Sequence, residues 1–200
     1  DRLSRNVIRP LLPVLRDLED SHVTHRSIRV DNMFYRDAVL GEVMLGEGFT
    51  GPPAMHQPTV FEPIESAMAE PGGRGVGTSK DDLYAFGVTL AMMVLGRNPL
   101  SEKSDSDIID HKLRDGSYSA LLGEARITLG MMEPLRGLLT DDPRERWSVS
   151  ELELWANGRR LSPKQPKLPP KAGRPFRFDQ REFLTSPTLA YAFVSKWQSG

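Results

Sequence analysis

The chain lacks cysteine, an excess of charge of either sign, and any long hydrophobic run. Without cysteine it can form no disulfide, iron–sulfur cluster, thiolate metal site or cysteine nucleophile. The same absence is typical of a reducing compartment, so we expect a cytoplasmic protein. The longest apolar run, Val88 to Leu95, is interrupted by Thr89. It is shorter than the ~20 residues that a membrane helix needs, and it predicts a buried core helix instead.

The charges nearly cancel, because 26 Lys and Arg against 27 Asp and Glu give a formal net charge of −1. No overall field attracts nucleic acid or anionic lipid, and we expect neither as a partner. A length of 200 residues, 38% of them hydrophobic, suits one globular domain with a tail. The opening Asp1-Arg2-Leu3 is not an initiator sequence and shows no signal-peptide pattern, so we expect the natural protein to begin upstream.

Helical patterns dominate the first 158 residues. The strongest runs from about Asp81 to Leu95 and stops at Gly96-Arg97-Asn98-Pro99, a helix-terminating sequence. Ser104 and Ser148 are predicted N-caps of two further helices, and another helix is expected over residues 129–139. An earlier helix is predicted to end near residue 20, from leucines at helical spacing: Leu11, Leu12, Leu15 and Leu18.

Two short β-prone stretches interrupt these helices, at about Asn32–Tyr35 and Glu42–Leu45. Residues 46–80 are rich in Gly and Pro and should be irregular, apart from a short helix near Ile64–Ala69. The predicted fold class is therefore mainly α with short β-hairpins.

The composition changes after Gly158, where several prolines alternate with Lys and Arg. We predict a main domain over 1–158, a Pro-rich connector over 159–175 and a C-terminal strand–helix appendage over 176–200. The last helix, starting at Ser186-Pro187, has an apolar stripe that should be buried. Docking on the main domain is the simplest arrangement, and a free partner-binding helix is the alternative. The stripe consists of Leu189, Ala190, Phe193, Val194 and Trp197.

The segment His25-Arg26-Ser27-Ile28-Arg29-Val30-Asp31-Asn32 directly follows the first predicted helix. It resembles the catalytic loop of protein kinases, H-R-D-L-x-x-x-N, in which Asp is the catalytic base and Asn binds magnesium. His25, Arg26 and Asn32 match this motif, and Ile28 replaces its Leu.

Four later segments resemble protein-kinase landmarks in the order of the family. Together with the loop, they make residues 1–158 similar to the C-terminal, mainly helical lobe of eukaryotic-type serine/threonine kinases. The matches are Pro63-Ile64-Glu65 to A-P-E, Asp82 through Gly87 to D-x-W-S-x-G, Gly96 through Pro99 to G-x-x-P, and Asp142 through Arg146 to D-P-x-x-R.

This resemblance implies structural roles for four residues. The Asp82 carboxylate would accept hydrogen bonds from the backbone of the catalytic-loop segment, and Gly87 would belong to the central helix. Glu65 would form a buried ion pair with Arg146, whose loss should cost ~3–5 kcal/mol. The alternatives are that Asp82 only caps a helix and that Arg146 is a solvated charge.

The residues that transfer phosphate in the family are replaced here. Ser27 stands at the position of the base, and losing general-base help typically removes ~10²–10⁴ in rate. Arg29 stands two positions later, where the family has Lys, and this changes the donor geometry. Gly46-Glu47-Gly48 replaces the metal-binding D-F-G, so Gly46 or Glu47 occupies the place of its Asp.

No segment resembles the nucleotide-binding half of a kinase. Gly72 to Gly77 is glycine-rich but fits neither G-x-G-x-x-G nor the Walker spacing, so an insertion is expected rather than a phosphate loop. The four histidines have no zinc-ligand spacing, and His25 is expected to be a packed structural residue. We therefore expect no metal and no cofactor, and no ATP binding without an N-terminal lobe.

These patterns predict a catalytically inactive pseudokinase module that binds another protein as a scaffold or regulator. The expected surfaces are the helix at Ile108–Leu113 and an aromatic C-terminal set. The alternative is an unconventional phosphotransferase that holds metal with Asn32 and Glu47 and has its N-terminal lobe outside this chain. A third possibility is a helical interaction domain without kinase ancestry, which a fold lacking a central helix at 81–95 would favour. The aromatic set is Phe176, Phe178, Phe183 and Trp197.

Overall fold

The chain folds mainly into helices with two short antiparallel strand pairs, which confirms the predicted fold class. The computed structural model describes residues 2–36, 39, 43–161 and 169–198. The helices are α1 (Arg9–Asp20), α2 (Ile64–Ala67), α3 (Ser79–Leu95), α4 (Asp105–Asp115), α5 (Ser117–Leu122), α6 (Leu129–Leu138), α7 (Val149–Ala156) and α8 (Ser186–Gln198). The strands are β1 (Met33–Tyr35), β2 (Val43–Leu45), β3 (Phe176–Phe178) and β4 (Arg181–Phe183).

Helix α3 passes through the centre of the domain. Its residues are buried without interruption from Asp81 to Met92, as expected for a helix that is apolar on all sides. It begins with a capping box between Thr78 and Asp81, and it ends at Gly96 in the left-handed conformation, with φ of +68°. Helices α1, α5 and α6 all contact it. The helix predicted at 81–95 is thus present and central.

Close packing of α3 on α6 depends on a glycine. A Cβ atom at Gly87 would lie 2.8 Å from the Cβ of Leu138, closer than packed carbon atoms approach. Because glycine has only a hydrogen atom where other residues have Cβ, the two helices can pack this closely. Gly87 therefore has a packing role in the middle of the domain.

The predicted helix starts are confirmed by the caps. Ser104 Oγ accepts a hydrogen bond from the Asp107 backbone N–H at 3.2 Å, and α4 follows it. Ser148 and Glu151 form a reciprocal capping box at the start of α7. Helix α5 was not predicted, because its six residues carry no periodic pattern long enough to recognise.

The strand predictions are confirmed for β1, β2 and β3. Phe34 lies opposite Met44 in the first pair, and both side chains are exposed. Strand β4 was not predicted. It pairs with β3 across Asp179 and Gln180, which both have positive φ, of 48° and 63°. Such turns favour Asn-Gly or Asp-Gly, so Asp-Gln gives little indication of a hairpin.

Helix α8 contacts α4, but not through the predicted stripe. Tyr191 packs beside Ile109 and Leu113 of α4, together with Ala67 of α2. Trp197 is 89% exposed, so the prediction that the whole stripe is buried is wrong. Tyr191 lies on a different side of the helix from Trp197, and the contact with α4 fixes which side is covered.

None of the helices in the described ranges combines the length and hydrophobicity needed to cross a membrane.

Candidate functional site

The Asp82 carboxylate joins the central helix to the segment that resembles a catalytic loop. Its Oδ2 accepts the backbone N–H of His25 at 2.6 Å, and its Oδ1 accepts that of Arg26 at 2.8 Å. This is the contact that the kinase resemblance implied. Burial raises the pKa of Asp82 to about 6, while the two N–H donors oppose this rise. Asp82 does not cap α3, because Thr78 and Asp81 form that cap.

Replacing Asp82 with asparagine should destabilise the domain by about 2 kcal/mol. The amide would turn an NH2 group toward one of two backbone N–H donors, leaving that buried donor unsatisfied. Thermal unfolding followed by circular dichroism measures the loss. Asp31→Asn is the control, since the Asp31 side chain is 76% exposed. Equal stability of the two variants would show that the carboxylate does not hold the loop.

Arg26 connects the same loop to the segment that precedes α2. Its guanidinium Nη2 donates to Glu62 Oε2 at 2.8 Å, and the two side chains are 1% and 0% exposed. Arg26 also has a φ of +52°, a conformation that is strained for a residue with a side chain. The hydrogen bond to Asp82 and the ion pair with Glu62 together hold Arg26 in this conformation.

Two further buried cations hold the segment at residues 57–62. The Lys112 ammonium donates to the carbonyls of Val60 and Glu62, each at 2.8 Å. Arg74 donates to the Gln57 carbonyl at 2.7 Å. Burial lowers the pKa of Lys112 to about 7. One short segment, which includes a 3-10 turn at Thr59–Phe61, is thus fixed by three cations from three different parts of the chain.

Arg146 is completely buried, but its main partners are not those expected. It donates to the backbone carbonyls of Thr140 at 2.8 Å, Lys80 at 3.0 Å and Asp141 at 3.0 Å. Its guanidinium also lies 5.0 Å from the centre of the Tyr84 ring, a cation–π distance.

The predicted Glu65–Arg146 ion pair forms at 3.5 Å. It is not a buried pair, because the Glu65 side chain is 45% exposed. Since carbonyl oxygens satisfy Arg146, removing Glu65 should cost less than about 1 kcal/mol, the range of exposed pairs. Unfolding of Glu65→Gln by urea measures this cost. A loss of several kcal/mol would instead support the buried pair that the sequence suggested.

The positions that the sequence resemblance matched to the catalytic loop and to D-F-G lie together beside β1 and β2. The Asn32 amide group donates to the carbonyls of Ser27 at 2.9 Å and Glu47 at 2.8 Å. Gly46 N–H donates to the Asn32 carbonyl at 2.8 Å. Asn32 therefore uses both amide hydrogens to connect the segment at 25–32 with the segment at 46–48. The Glu47 carboxylate is exposed and makes no hydrogen bond or ion pair within the described parts of the chain.

No carboxylate can stand at position 46 in this arrangement. A Cβ atom at Gly46 would lie 2.2 Å from Asn32 Oδ1 and 2.6 Å from Phe34 Cε2. Any side chain would displace Asn32 and break its two hydrogen bonds to carbonyls. If Gly46 rather than Glu47 corresponds to the metal-binding Asp, the space for that carboxylate is occupied.

His25 has a structural position, and Gly48 allows it. The ring Nε2 carries the proton, because its 3.1 Å partner is the Gly46 carbonyl, which can only accept. Burial lowers the pKa of His25, which keeps the ring neutral. A Cβ atom at Gly48 would lie 2.7 Å from the ring, so only glycine leaves room for His25 here.

Arg29 lies two residues after Ser27, but its guanidinium group donates elsewhere. Its partners are the Asp31 carboxylate at 3.1 Å and the His56 carbonyl at 2.9 Å.

The glycine-rich segment at 72–77 packs against the loop instead of forming a phosphate cradle. Arg74 points inward. Gly77 lies against Arg26, since a Cβ atom there would be 2.9 Å from Arg26 Nη1. Among the described residues, no group of three or more His, Asp or Glu side chains is placed to hold a metal ion.

The contributions of Glu62, Arg74 and Lys112 were missed from the sequence. Glu62 directly precedes the A-P-E-like segment but belongs to no motif considered there. Lys112 lies on a helix of mixed charge, where a lysine is ordinarily solvated. Its contacts are with residues about fifty positions earlier, which periodicity cannot reveal.

No known protein family and no curated protein matches the chain in sequence. The kinase resemblance therefore rests on the motifs and on the contacts that their residues make.

Proposed function

We propose that the chain is a pseudokinase module, similar to a kinase C-terminal lobe, that works by binding another protein. One observation carries the proposal. The contacts that hold the loop are complete, because Asp82 accepts two backbone N–H groups and Arg26 pairs with Glu62. By contrast, serine stands at the position of the catalytic base and Gly46-Glu47-Gly48 stands in place of D-F-G. If the protein works by binding rather than by phosphate transfer, we expect the contacts that hold the fold to be kept and the catalytic residues to be replaced.

The central position of α3 supports the kinase relationship over a helical domain of other origin. The helix is buried on all sides, and it carries Asp82 and Gly87 at its contacts with the loop and with α6. A helical bundle without this ancestry has no reason to anchor an irregular loop on a buried carboxylate, since burying a charge is costly.

Exposed apolar side chains near the degenerate positions provide a binding surface. Phe34 and Met44, which lie opposite each other on the first strand pair, are each at least 45% exposed, as is Phe49 after β2. Clustered exposed apolar residues mark interaction sites on many proteins. The α4 surface proposed from the sequence is less suitable, because Ile108, Ile109 and Leu113 are all buried within this chain.

The test is phosphate transfer from radiolabelled ATP, with the full-length gene product and with generic substrates. We expect no magnesium-dependent transfer by the natural protein and none after Ser27→Asp, because one carboxylate does not replace the metal site. Transfer that disappears in Asn32→Ala or Glu47→Gln would contradict the proposal and establish an active enzyme.

The alternative, an unconventional phosphotransferase, has one observation in its favour. Asn32 Oδ1 accepts no hydrogen bond from the described residues, so it could contact a cation that Glu47 also reached. A thermal-shift titration of the full-length gene product with ATP and Mg²⁺ distinguishes the two functions, since binding at 100-fold over Kd stabilises a protein by ~2.7 kcal/mol. We expect no shift.

A further inference from the structure

A groove between α6 and α7 carries three arginines that take no part in the contacts described above. It encloses about 410 Å³, within the range of pockets that hold a small ligand or a few side chains. Helix α6 forms one wall, and the end of α7 with the residues after it forms the other. The residues that matter are Leu129, Met132, Arg136, Trp155, Arg159 and Arg160.

None of the three guanidinium groups is paired with a carboxylate in the part of the chain that the structure describes. Arg136 lies 5.5 Å from the centre of the Tyr118 ring. The acid that lines the groove, Glu133, uses Oε1 to accept the Leu161 backbone N–H at 2.5 Å. Many arginines elsewhere do pair, such as Arg144 with Asp142 at 2.9 Å. The groove therefore presents three guanidinium groups against one carboxylate, which is a local excess of positive charge.

The same groove exposes apolar surface. Leu129, at the start of α6, is 85% exposed. Met132 and Trp155 are partly buried beside it. An aliphatic, a thioether and an indole side chain within one concave site can enclose an apolar side chain of a ligand, as the anchors of peptide-binding sites do.

The charge of the groove determines the occupant. The segment that follows it, residues 162–168, contains Lys164 and Lys167 and no acid, so like charges disfavour its binding there. The chain as a whole has a formal net charge of −1, so attraction for acidic ligands must be local. Proteins that hold single-stranded nucleic acid commonly stack its bases on several aromatic rings, and Trp155 is the one aromatic residue lining the groove.

We propose that this groove binds an acidic peptide segment of a partner protein, with one apolar side chain inserted against Leu129, Met132 and Trp155. Carboxylates of the peptide would pair with Arg136, Arg159 and Arg160, for which the planar guanidinium is well suited. The proposal goes beyond the pseudokinase function, because it requires neither kinase ancestry nor loss of phosphate transfer.

The experiment measures fluorescence anisotropy of a fluorescein-labelled peptide titrated with the complete chain. The probe is a 12-residue peptide of Glu and Asp around a central Phe-Leu pair. We expect saturable binding that weakens about tenfold or more in Arg159→Glu/Arg160→Glu, because attraction becomes repulsion. Leu129→Ser should weaken binding about threefold or more without altering charge, and its exposure makes a folding defect unexpected.

Matched controls separate the groove from general charge effects. Arg97→Glu/Arg174→Glu changes the net charge equally at exposed residues outside the groove, and it should bind as the natural chain does. A peptide with Ala-Ala in place of Phe-Leu should bind more weakly. The proposal is overturned by absence of binding, by equal weakening in both charge-reversal variants, or by polyuridylate RNA binding more tightly than the peptide. Circular dichroism confirms that each variant is folded.

Discussion

Glu62→Gln should destabilise the protein by about 3–5 kcal/mol, the cost of removing one partner of a buried ion pair. Glu62 is 0% exposed and Arg26 is 1% exposed, so water cannot compensate the remaining cation. Arg26 Nε and Nη1 already have no hydrogen-bond partner, and the nearest other carboxylate, on Asp81, is 3.8 Å away. The new amide would also face the Gln57 amide, which now donates to Glu62 Oε1 at 2.9 Å.

The measurement is the melting temperature, which should fall by roughly 6–20 °C for a chain of this size. Glu182→Gln is the matched control, because it removes a carboxylate from an exposed pair with Arg177 at 2.7 Å and should cost ~0–1 kcal/mol. Arg26→Met combined with Glu62→Met should recover part of the loss, since apolar side chains can replace a buried pair. Equal melting of Glu62→Gln and Glu182→Gln would contradict the importance of the pair.

Gly137→Ala should destabilise the protein by about 3 kcal/mol, at the upper end of the usual cost of overpacking. A Cβ atom there would lie 2.2 Å from Cδ2 and 2.4 Å from Cε2 of Trp147. The indole cannot easily retreat, because Trp147 is 1% exposed and its backbone N–H donates to the Gly137 carbonyl at 3.0 Å. Either the ring leaves its position or the end of α6 moves.

Gly130→Ala provides the control within the same helix. Nothing lies within 4 Å of a Cβ atom at Gly130, so alanine should be neutral or stabilise α6 by up to ~1 kcal/mol through its helix propensity. Urea unfolding of both variants gives the comparison. A similar response at the two positions would mean that propensity, and not contact with Trp147, determines the effect.

The sequence predicted the features that depend on neighbouring residues. Ser148 with Glu151 is visible as a capping box, and Gly96 before Pro99 as a helix end, because both act within one turn. The contact of Asp82 with the loop was expected only because the family resemblance supplied it.

Features that depend on tertiary packing were missed or wrong. Lys112 looks like a surface residue until the segment at 59–62 folds over it. Glu65 and Arg146 do form the expected pair, but Glu65 is half-exposed, and backbone carbonyls are the main partners of Arg146. The position of α4 determines which side of α8 is covered, and that side carries Tyr191. The apolar stripe that includes Trp197 therefore predicted the wrong side of the helix. No local pattern determines such contacts.

The burial of Lys112 has a consequence for chemical labelling. Amine-reactive reagents attack an unprotonated, accessible amine, and Lys112 is 0% exposed while its ammonium contacts carbonyl oxygens. Lys196, with a side chain that is 57% exposed, should react at once. Lys112 should react only when the segment at 59–62 separates from α4, so its acylation rate, read by mass spectrometry, reports how often this part of the domain opens.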